Sequence, residues 1–240
     1  MKVAIFGATG GIGRALVTQL INAPGVTSVY GAGRSGASDV STDEIYTPLT
    51  LDLTKEESIA EACVEILQNE APALSIIASG FLSETGGLQP ERSFKQQSAA
   101  SFETLFAINT IGPALIAKHL LPGIPRKGRH VIAFLSARVG SISDNRVGGW
   151  HAYRASKAAL NMLIKNYAIE LSMRKSESIC VGLHPGTVDT PLSQPFQRNL
   201  PEGQVISAES SARHLLDVCQ YLTLADSGRV FDWKGEPIPA

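Results

Sequence analysis

The chain has 240 residues, of which 44% are hydrophobic and 18% charged, and its 21 Lys and Arg against 22 Asp and Glu leave a net charge of -1. That composition carries a sizeable core and excludes a disordered chain, while the near-neutral balance excludes a global pull toward nucleic acid or an anionic membrane. No apolar run approaches the roughly 18 residues of a membrane span, the amino-terminal MKVAIFGATGG is too short for a secretory signal, and Cys63, Cys180 and Cys219, far apart and without CxxC, read as reduced cysteines of a cytoplasmic protein.

Short apolar runs alternate with amphipathic stretches along the whole chain. Strands are expected at 2–6, 26–33, 45–51, 73–79, 130–136, 178–184 and 229–233, and helices near 11–22, 55–70, 99–119, 151–172 and 207–222. Several strands are apolar almost throughout, the pattern of a parallel sheet covered by helices on both faces. The alternation predicts one α/β domain over 1–240, with a doubly wound parallel sheet of seven strands. Two longer irregular segments, 80–94 and 185–204, each follow a strand and so fall at the carboxyl edge of the sheet, where such folds bind ligands.

The first of these edges is the most informative. Residues 3–20, VAIFGATGGIGRALVTQL, run strand, glycine loop, helix, with Gly7, Gly11 and Gly13 spaced G-x3-G-x-G. Glycine permits a tight turn and close approach of backbone to a pyrophosphate. The helix that follows offers free N–H groups and a partial positive charge. Dinucleotide binding follows, with Gly7, Thr9, Gly11, Ile12 and Gly13 as the cradle. An acid about 20 residues on would hold the ribose hydroxyls of NAD, whereas arginine accommodates the extra phosphate of NADP. The first acid anywhere in the chain is Asp39, and the expected position reads 31-GAGRSG-36. Arg34 and Ser35 are suited to a phosphate, Arg14 is a further cation at the start of the helix, and NADP(H) is favoured over NAD(H).

The helix at 151–172 opens HAYRASKAAL. Residues four apart on a helix lie about 40° apart in projection, so Tyr153 and Lys157 share a face; of the 5 tyrosines only Tyr153 has a lysine at that offset. A free phenol is a poor base near neutrality. A neighbouring ammonium and an oxidised nicotinamide ring both favour phenolate, and a shift of about three units needs roughly 4 kcal/mol. In the reducing direction the same phenol donates a proton to a carbonyl oxygen.

The ordered set 7-GATGGIG-13, 52-DL-53, 106-FAINTIGP-113, 153-YRASK-157 and 185-PGTVDT-190 resembles the short-chain dehydrogenase/reductase family, in its single-domain branch with a Rossmann-type fold. The segments 138–161 and 231–239 resemble its C-factor-like subgroup, which includes carbonyl-reductase-like members and developmental signalling proteins. The resemblance implies Tyr153 as general acid/base, with Lys157 on the nicotinamide ribose and tuning the phenol. It implies Asn109 holding a water that links Lys157 to solvent, Asp52 and Leu53 along the adenine, and Pro185, Gly186, Val188 and Thr190 around the carboxamide and phosphates. Asp52 and Leu53 also read as a cap for the helix after 54-TKEE-57.

Two departures from the family pattern stand out. Its N-N-A-G appears as 77-IASG-80, leaving Ser79 and Gly80 small enough for close cofactor approach. Its Ser-Ser pair appears as 135-LSAR-138: counting forward from the strand puts Ser136 on the substrate-orienting position, and counting back from Gly140 puts Ala137 there. Adjacent strand residues face opposite ways, and the need for a hydroxyl selects Ser136, with Ser141 as the alternative. His184 reads as a packing partner, and Trp150 and His151 as lining or bracing the site. No His, Cys, Asp or Glu spacing fits a metal. Ala155, Ser156, Ala158 and Ala159 permit close helix packing, and in the family the equivalent helix forms a subunit interface, implying a homodimer or homotetramer. The reading is an NADP-dependent oxidoreductase interconverting a carbonyl and an alcohol of a small molecule. The alternative is a C-factor-like nucleotide-binding signalling or regulatory protein with little turnover.

Overall fold

Alternate residues of the apolar runs feed two separate cores, one on each side of a single sheet. The computed structural model describes residues 1–84, 86–198, 200–201 and 203–240. Its strands are β1 (Lys2–Phe6), β2 (Ser28–Gly33), β3 (Tyr46–Thr50), β4 (Leu74–Ile77), β5 (Val131–Leu135), β6 (Ile179–His184), β9 (Val230–Asp232) and β10 (Pro237–Ile238), in the order β10-β9-β6-β5-β4-β1-β2-β3. All neighbours pair parallel except β9 with β10. The seven expected strands are therefore present, and an eighth, β10, closes the edge. A separate pair, β7 (Thr187–Val188) with β8 (Val205–Ile206), pins the ends of the long segment after β6. β7, β8 and β10 have two residues each, too few to display the period of two that marks a strand.

On one face, Val3 and Ile5 of β1 and Val131, Ala133 and Leu135 of β5 pack with α1 (Gly11–Ile21) and α6 (Ala208–Tyr221). On the other, Ala4, Phe6, Ile132 and Phe134 pack with α2 (Glu56–Leu67), α4 (Gly112–Leu120) and α5 (His151–Met173). The central strands β1, β4 and β5 thus bury both of their faces, which is why their sequences are apolar almost throughout.

The helix expected at 99–119 is broken in a way the sequence does not announce. It runs as α3 (Ala99–Phe106), a π-helical turn over Ala107–Ile111, then α4. Within Ala99–Gly123 an 18-residue window reaches a mean hydropathy of 1.3, enough to cross a membrane by length and composition, contrary to the sequence reading. Half of that stretch is buried inside the fold, where α3 and the π turn pack on α5 and α4 packs on α2. Its apolar character is accounted for by those contacts.

The loop after β2 has its own brace. Tyr46 is buried, and its hydroxyl donates to the C=O of Ala37 at 2.9 Å. The ring crosses β2 at Gly31, where a Cβ would stand 2.2 Å from the tyrosine oxygen. Gly31→Ala is expected to displace that ring, break its hydrogen bond and destabilise the fold by about 2 kcal/mol, read as a lower urea midpoint with an unchanged slope.

Candidate active site

The turn between β1 and α1 is built by glycine at two points. Gly7 has a φ of 88°, and a Cβ there would meet the backbone N of Ser79, just past β4, at 2.9 Å. A Cβ on Gly13 would stand 2.1 Å from the C=O of Gly7, so the start of α1 lies directly on the turn. α1 begins after Gly10 without a side-chain cap, leaving its first N–H groups at the opening. Around them the structure gathers the other edges. Thr190, after β7, reaches Gly11, since a Cβ there would lie 2.6 Å from its methyl; Thr9 lies similarly against Gly33 at the end of β2, at 2.8 Å. The hydroxyl of Ser79 is buried without a partner among the described residues. A cradle with exposed N–H groups and an orphaned hydroxyl fits a dinucleotide's phosphates.

Charge at the far end of this cradle is uneven. Arg14 donates to the C=O of Thr9 at 3.3 Å and pairs with Asp39, whose carboxyl is held low chiefly by that hydrogen bond. Arg34 and Ser35 are exposed just beyond β2, and among the described residues Arg34 has no ion-pair partner. Asp52 accepts from the N–H and hydroxyl of Thr54, which hold its carboxyl below the usual range, with Lys55 and Arg34 contributing less. It closes its own turn rather than capping α2, whose N-cap is Lys55. Leu53 packs on the start of α4, within 2.9 Å of a Cβ placed on Gly112.

Tyr153 and Lys157 stand on the first turns of α5, facing the ends of β4 and β5. Tyr153 is 8% exposed, and its hydroxyl makes no hydrogen bond to a described residue; burial pushes its pKa up to about 12. Lys157 is 3% exposed and donates to the C=O of Leu135 at 2.9 Å, and burial brings it down to about 8. Burial disfavours the charged form of each, so the two shifts have opposite signs. A Cβ on Gly80 would lie 3.7 Å from Lys157 Nζ and 3.8 Å from Asn109 Oδ1, so β4, the π turn and α5 converge there. Asn109 is fully buried; its Oδ1 accepts from Phe81 N–H at 2.8 Å and its Nδ2 donates to Phe81 C=O at 2.8 Å and Ser156 Oγ at 3.2 Å. Its side chain therefore braces the turn after Gly80.

Ser136 already has a partner elsewhere on α5. Its hydroxyl donates to Asn161 Oδ1 at 2.6 Å, and Asn161 follows Tyr153 by eight residues, about 12 Å along the helix axis. While that bond stands, Ser136 has no proton to give a substrate oxygen. The register counted back from Gly140 describes the site better: Ala137 belongs to the apolar cluster that contains Tyr153. Ser141 is buried and accepts from Asp144 N–H at 3.1 Å, closing the turn after Gly140.

That cluster is the part of the site sequence reasoning missed. Leu82, Leu105, Ala137, Ala152 and Tyr153 form its buried centre, with Trp150, Leu192 and Phe196 packed against it. The Trp150 ring centre lies 4.9 Å from that of Phe196 and 6.1 Å from that of Tyr153, edge-on to the latter at 74°. Trp150 is adjacent to α5 in sequence and was read as lining or bracing the site, but Phe196 comes from the second irregular segment and carries no local signal. His184 is brought down to about 4 by burial, with Arg138 adding to the effect and Asp232 opposing it. It is neutral near pH 7 and fits the packing role. Pro185 accepts from Ser211 Oγ at 2.8 Å, Gly186 turns against Trp233 with a φ of 84°, and Val188 is buried in β7. Two surface grooves, of about 330 Å³ along α4 and α5 and about 560 Å³ along α6 and β9, contain none of the residues expected at the site from the sequence.

Comparison with known proteins gives the same picture. A family model described as short chain dehydrogenase matches residues 1–201. The chain is 36% identical over 140 residues to C-signal of Myxococcus xanthus, covering 58% of this chain and 79% of that protein. It is 30% identical over 231 residues to 1-hydroxy-2-glutathionyl-2-methyl-3-butene dehydrogenase of a Rhodococcus species, covering 95% and 94%, and 30% identical over 219 residues to benzil reductase ((S)-benzoin forming) of Saccharomyces cerevisiae, covering 86% and 79%. In fold it is similar to NADPH-bound carbonyl reductase from chicken fatty liver, with a TM-score of 0.86 at 24% identity over 100% of this chain and 98% of that one. The carbonyl reductase Sniffer of D. melanogaster gives 0.84 at 22% identity, over 100% and 99%.

The Ser136–Asn161 bond has a direct test. Ser136→Ala leaves the half-buried Asn161 acceptor without its donor, and a loss of about 1 kcal/mol in urea unfolding is expected, with any carbonyl-reducing turnover kept within a few-fold.

Proposed function

The chain belongs to the short-chain dehydrogenase family, and we propose that within it the protein is an NADP-dependent oxidoreductase that interconverts a carbonyl and an alcohol. When bound, NADPH supplies the hydride for carbonyl carbon. Tyr153 gives the proton to carbonyl oxygen, and Lys157 holds the nicotinamide ribose. The observation that carries the reading is the meeting of Tyr153, Lys157 and Asn109 at the end of β4, beside a glycine cradle. Tyr153 keeps its proton near neutrality, the form needed of a donor in the reducing direction. Lys157 remains mostly protonated at pH 7 and loses its charge above about 8. Asn109 acts by holding the Phe81 turn and leaving Gly80 open to the lysine.

NADP rather than NAD is supported by Arg34, an exposed guanidinium beyond β2 with no ion-pair partner among the described residues, where NAD-binding relatives of the fold carry an acid. Ser35, Asp52, Leu53, Ser79 and the segment from Pro185 to Thr190 complete the cofactor's surroundings in this reading. The apolar ring around Tyr153 supports an uncharged carbonyl compound bearing aromatic groups, stacked on Trp150 and Phe196; benzil, the substrate named for the yeast relative, is of that kind. Free, buried cysteines support a reducing compartment, the cytoplasm.

The enzyme reading is tested by following NADPH absorbance with a panel of aryl ketones and aldehydes. Wild type is expected to turn over, with its rate falling as the pH passes about 8. Tyr153→Phe is expected to lose turnover by about 100-fold or more while binding NADPH as before, and Arg34→Glu to weaken NADPH more than NADH. A second reading, a nucleotide-binding signalling protein, is favoured by the similarity to C-signal and by Ala137 in place of a hydroxyl. Tight NADPH binding with no turnover on any carbonyl would select it.

A homodimer or homotetramer is supported by Met162, Ile169 and Met173, which α5 exposes along one side. Sedimentation equilibrium is expected to give a multiple of the chain mass of 25.5 kDa, and a monomer at micromolar concentration would remove the support.

A further inference from the structure

We propose that Glu91 is a positioning residue for Tyr153: its buried carboxylate holds the first turn of α5 and thereby fixes where the phenol stands. The proposal rests on the reading of Tyr153 as proton donor. α5 is a helix of 23 residues that begins without help from its own sequence. Its N-cap, Trp150, sits in the left-handed region at φ 51°, offers no side-chain cap, and no acid follows in the first turn. The missing acceptors come from a segment some sixty residues earlier in the chain. The C=O of Glu91 accepts from Trp150 N–H, and its Oε2 accepts from Ala152 N–H at 3.3 Å.

Glu91 is 3% exposed, and its Oε1 is buried with no partner among the described residues. A carboxylate is costly to bury, and half-satisfied it is costlier still; the positive end of a long helix offsets part of that cost. A helix that needed only a cap would be served as well by serine or aspartate at its own N-cap position. The remote glutamate does something a local cap does not, because it joins two parts of the site. The segment carrying it starts at Gly80, beside Lys157 and Asn109, and ends on the residue preceding Tyr153. From the other side, Arg154 donates to Gly149 C=O at 3.1 Å and Val139 C=O at 3.3 Å. Tyr153 is therefore flanked by two residues, each tied to a different loop. Trp150, whose ring meets the Tyr153 ring edge-on, is held by the same Glu91 carbonyl.

The test uses the full-length protein with and without NADPH. Tyrosine labelled with ¹³C at Cζ reports ionisation by NMR, and the Tyr153 signal is assigned by its loss in Tyr153→Phe. In the wild type this signal is expected to stay un-ionised past that of the exposed Tyr221, toward about 12. In Glu91→Ala it is expected to ionise nearer the ordinary 10.0 as the first turn loosens and admits water. The kcat for an aryl ketone is expected to fall by about 100-fold, while the NADPH dissociation constant stays within about twofold of the wild type because the cradle lies elsewhere. Glu91→Gln, which keeps an acceptor for Ala152 N–H, is expected to restore both readouts. A Glu91→Ala protein that is less heat-stable yet titrates and turns over like the wild type would overturn the proposal and leave Glu91 a cap only. Should that variant fail to fold, Glu91→Asp, one methylene too short, carries the same comparison against Glu91→Gln. If the wild type reduces no carbonyl, the NMR titration still decides Glu91, and it is the enzyme reading that fails.

Discussion

A buried ammonium with one protein partner is the constraint around which this molecule is arranged. Lys157 is 3% exposed and gives one hydrogen bond, to the last carbonyl of β5, among the described residues. An ammonium carries three donors, and the space before Gly80, 3.7 Å from a Cβ there to Nζ, is where the remainder has room. Burial lowers its pKa from 10.5 to about 8, a cost of about 3 kcal/mol to the folded state while both states are protonated. The sign follows from the folded chain binding this proton more weakly than the unfolded one. The penalty is full below about pH 8 and fades as pH rises to 10.5. A domain with a total stability of roughly 5–15 kcal/mol does not keep such a group by accident of packing.

Four elements are shaped to bring that one nitrogen into place. β5 offers its terminal carbonyl, Gly140 lies so close that a Cβ would stand 2.9 Å from the Lys157 backbone, and Gly80 withholds a side chain from the front. The fourth is the π turn of 107–111, whose extra residue per turn rotates Asn109 inward to pair with both backbone groups of Phe81. Sheet order adds the cofactor side. β1 and β4 are neighbours with their crossovers leaving in opposite directions, and their ends, Gly7 and Ser79, touch at this switch point. Tyr153 and Lys157 on α5 and the glycine turn before α1 lie on opposite faces of the sheet, and they meet only because strands β1, β4 and β5 end at the same edge.

How much of this was legible in the sequence follows from the range over which each feature is encoded. The strands, the glycine loop and the Tyr153–Lys157 offset are local patterns, so the parallel sheet, the glycine turn and the shared face of Tyr153 and Lys157 could be read directly. β10 has two residues, one a proline, and owes its existence to β9 beside it. The π turn leaves no trace in 106-FAINTIGP-113, because a single inserted residue does not disturb an apolar stretch long enough to pass for one helix. The serine register is hidden for a different reason: requiring a hydroxyl chose Ser136, and what the sequence does not show is that this hydroxyl is taken by Asn161 of α5. Phe196 and Glu91 reach the site from distant loops. Nothing near them in sequence marks either one, since what selects them is the surface they close against.

The far end of the cradle shows how small the decisive charges are. Asp39 is the first acid in the chain, and beside a phosphate it would repel. Arg14 engages it and at the same time holds the Thr9 carbonyl, so the two charges cancel next to the glycine loop. An exposed pair of this kind adds little to stability. Its consequence is electrostatic instead: within a screening length of about 8 Å the pair is close to neutral, and Arg34 is left as the charge an incoming ligand meets. The loop that presents Arg34 is held from below by the Tyr46 hydroxyl on Ala37, so the guanidinium's base is fixed while its tip is free in solvent. A fixed root carrying an exposed guanidinium is suited to a phosphate, because the side chain gives up rotamer freedom only when an anion arrives to be bound. Of the two arginines at this end, Arg14 is already engaged inside the fold, whereas Arg34 makes no ion pair among the described residues.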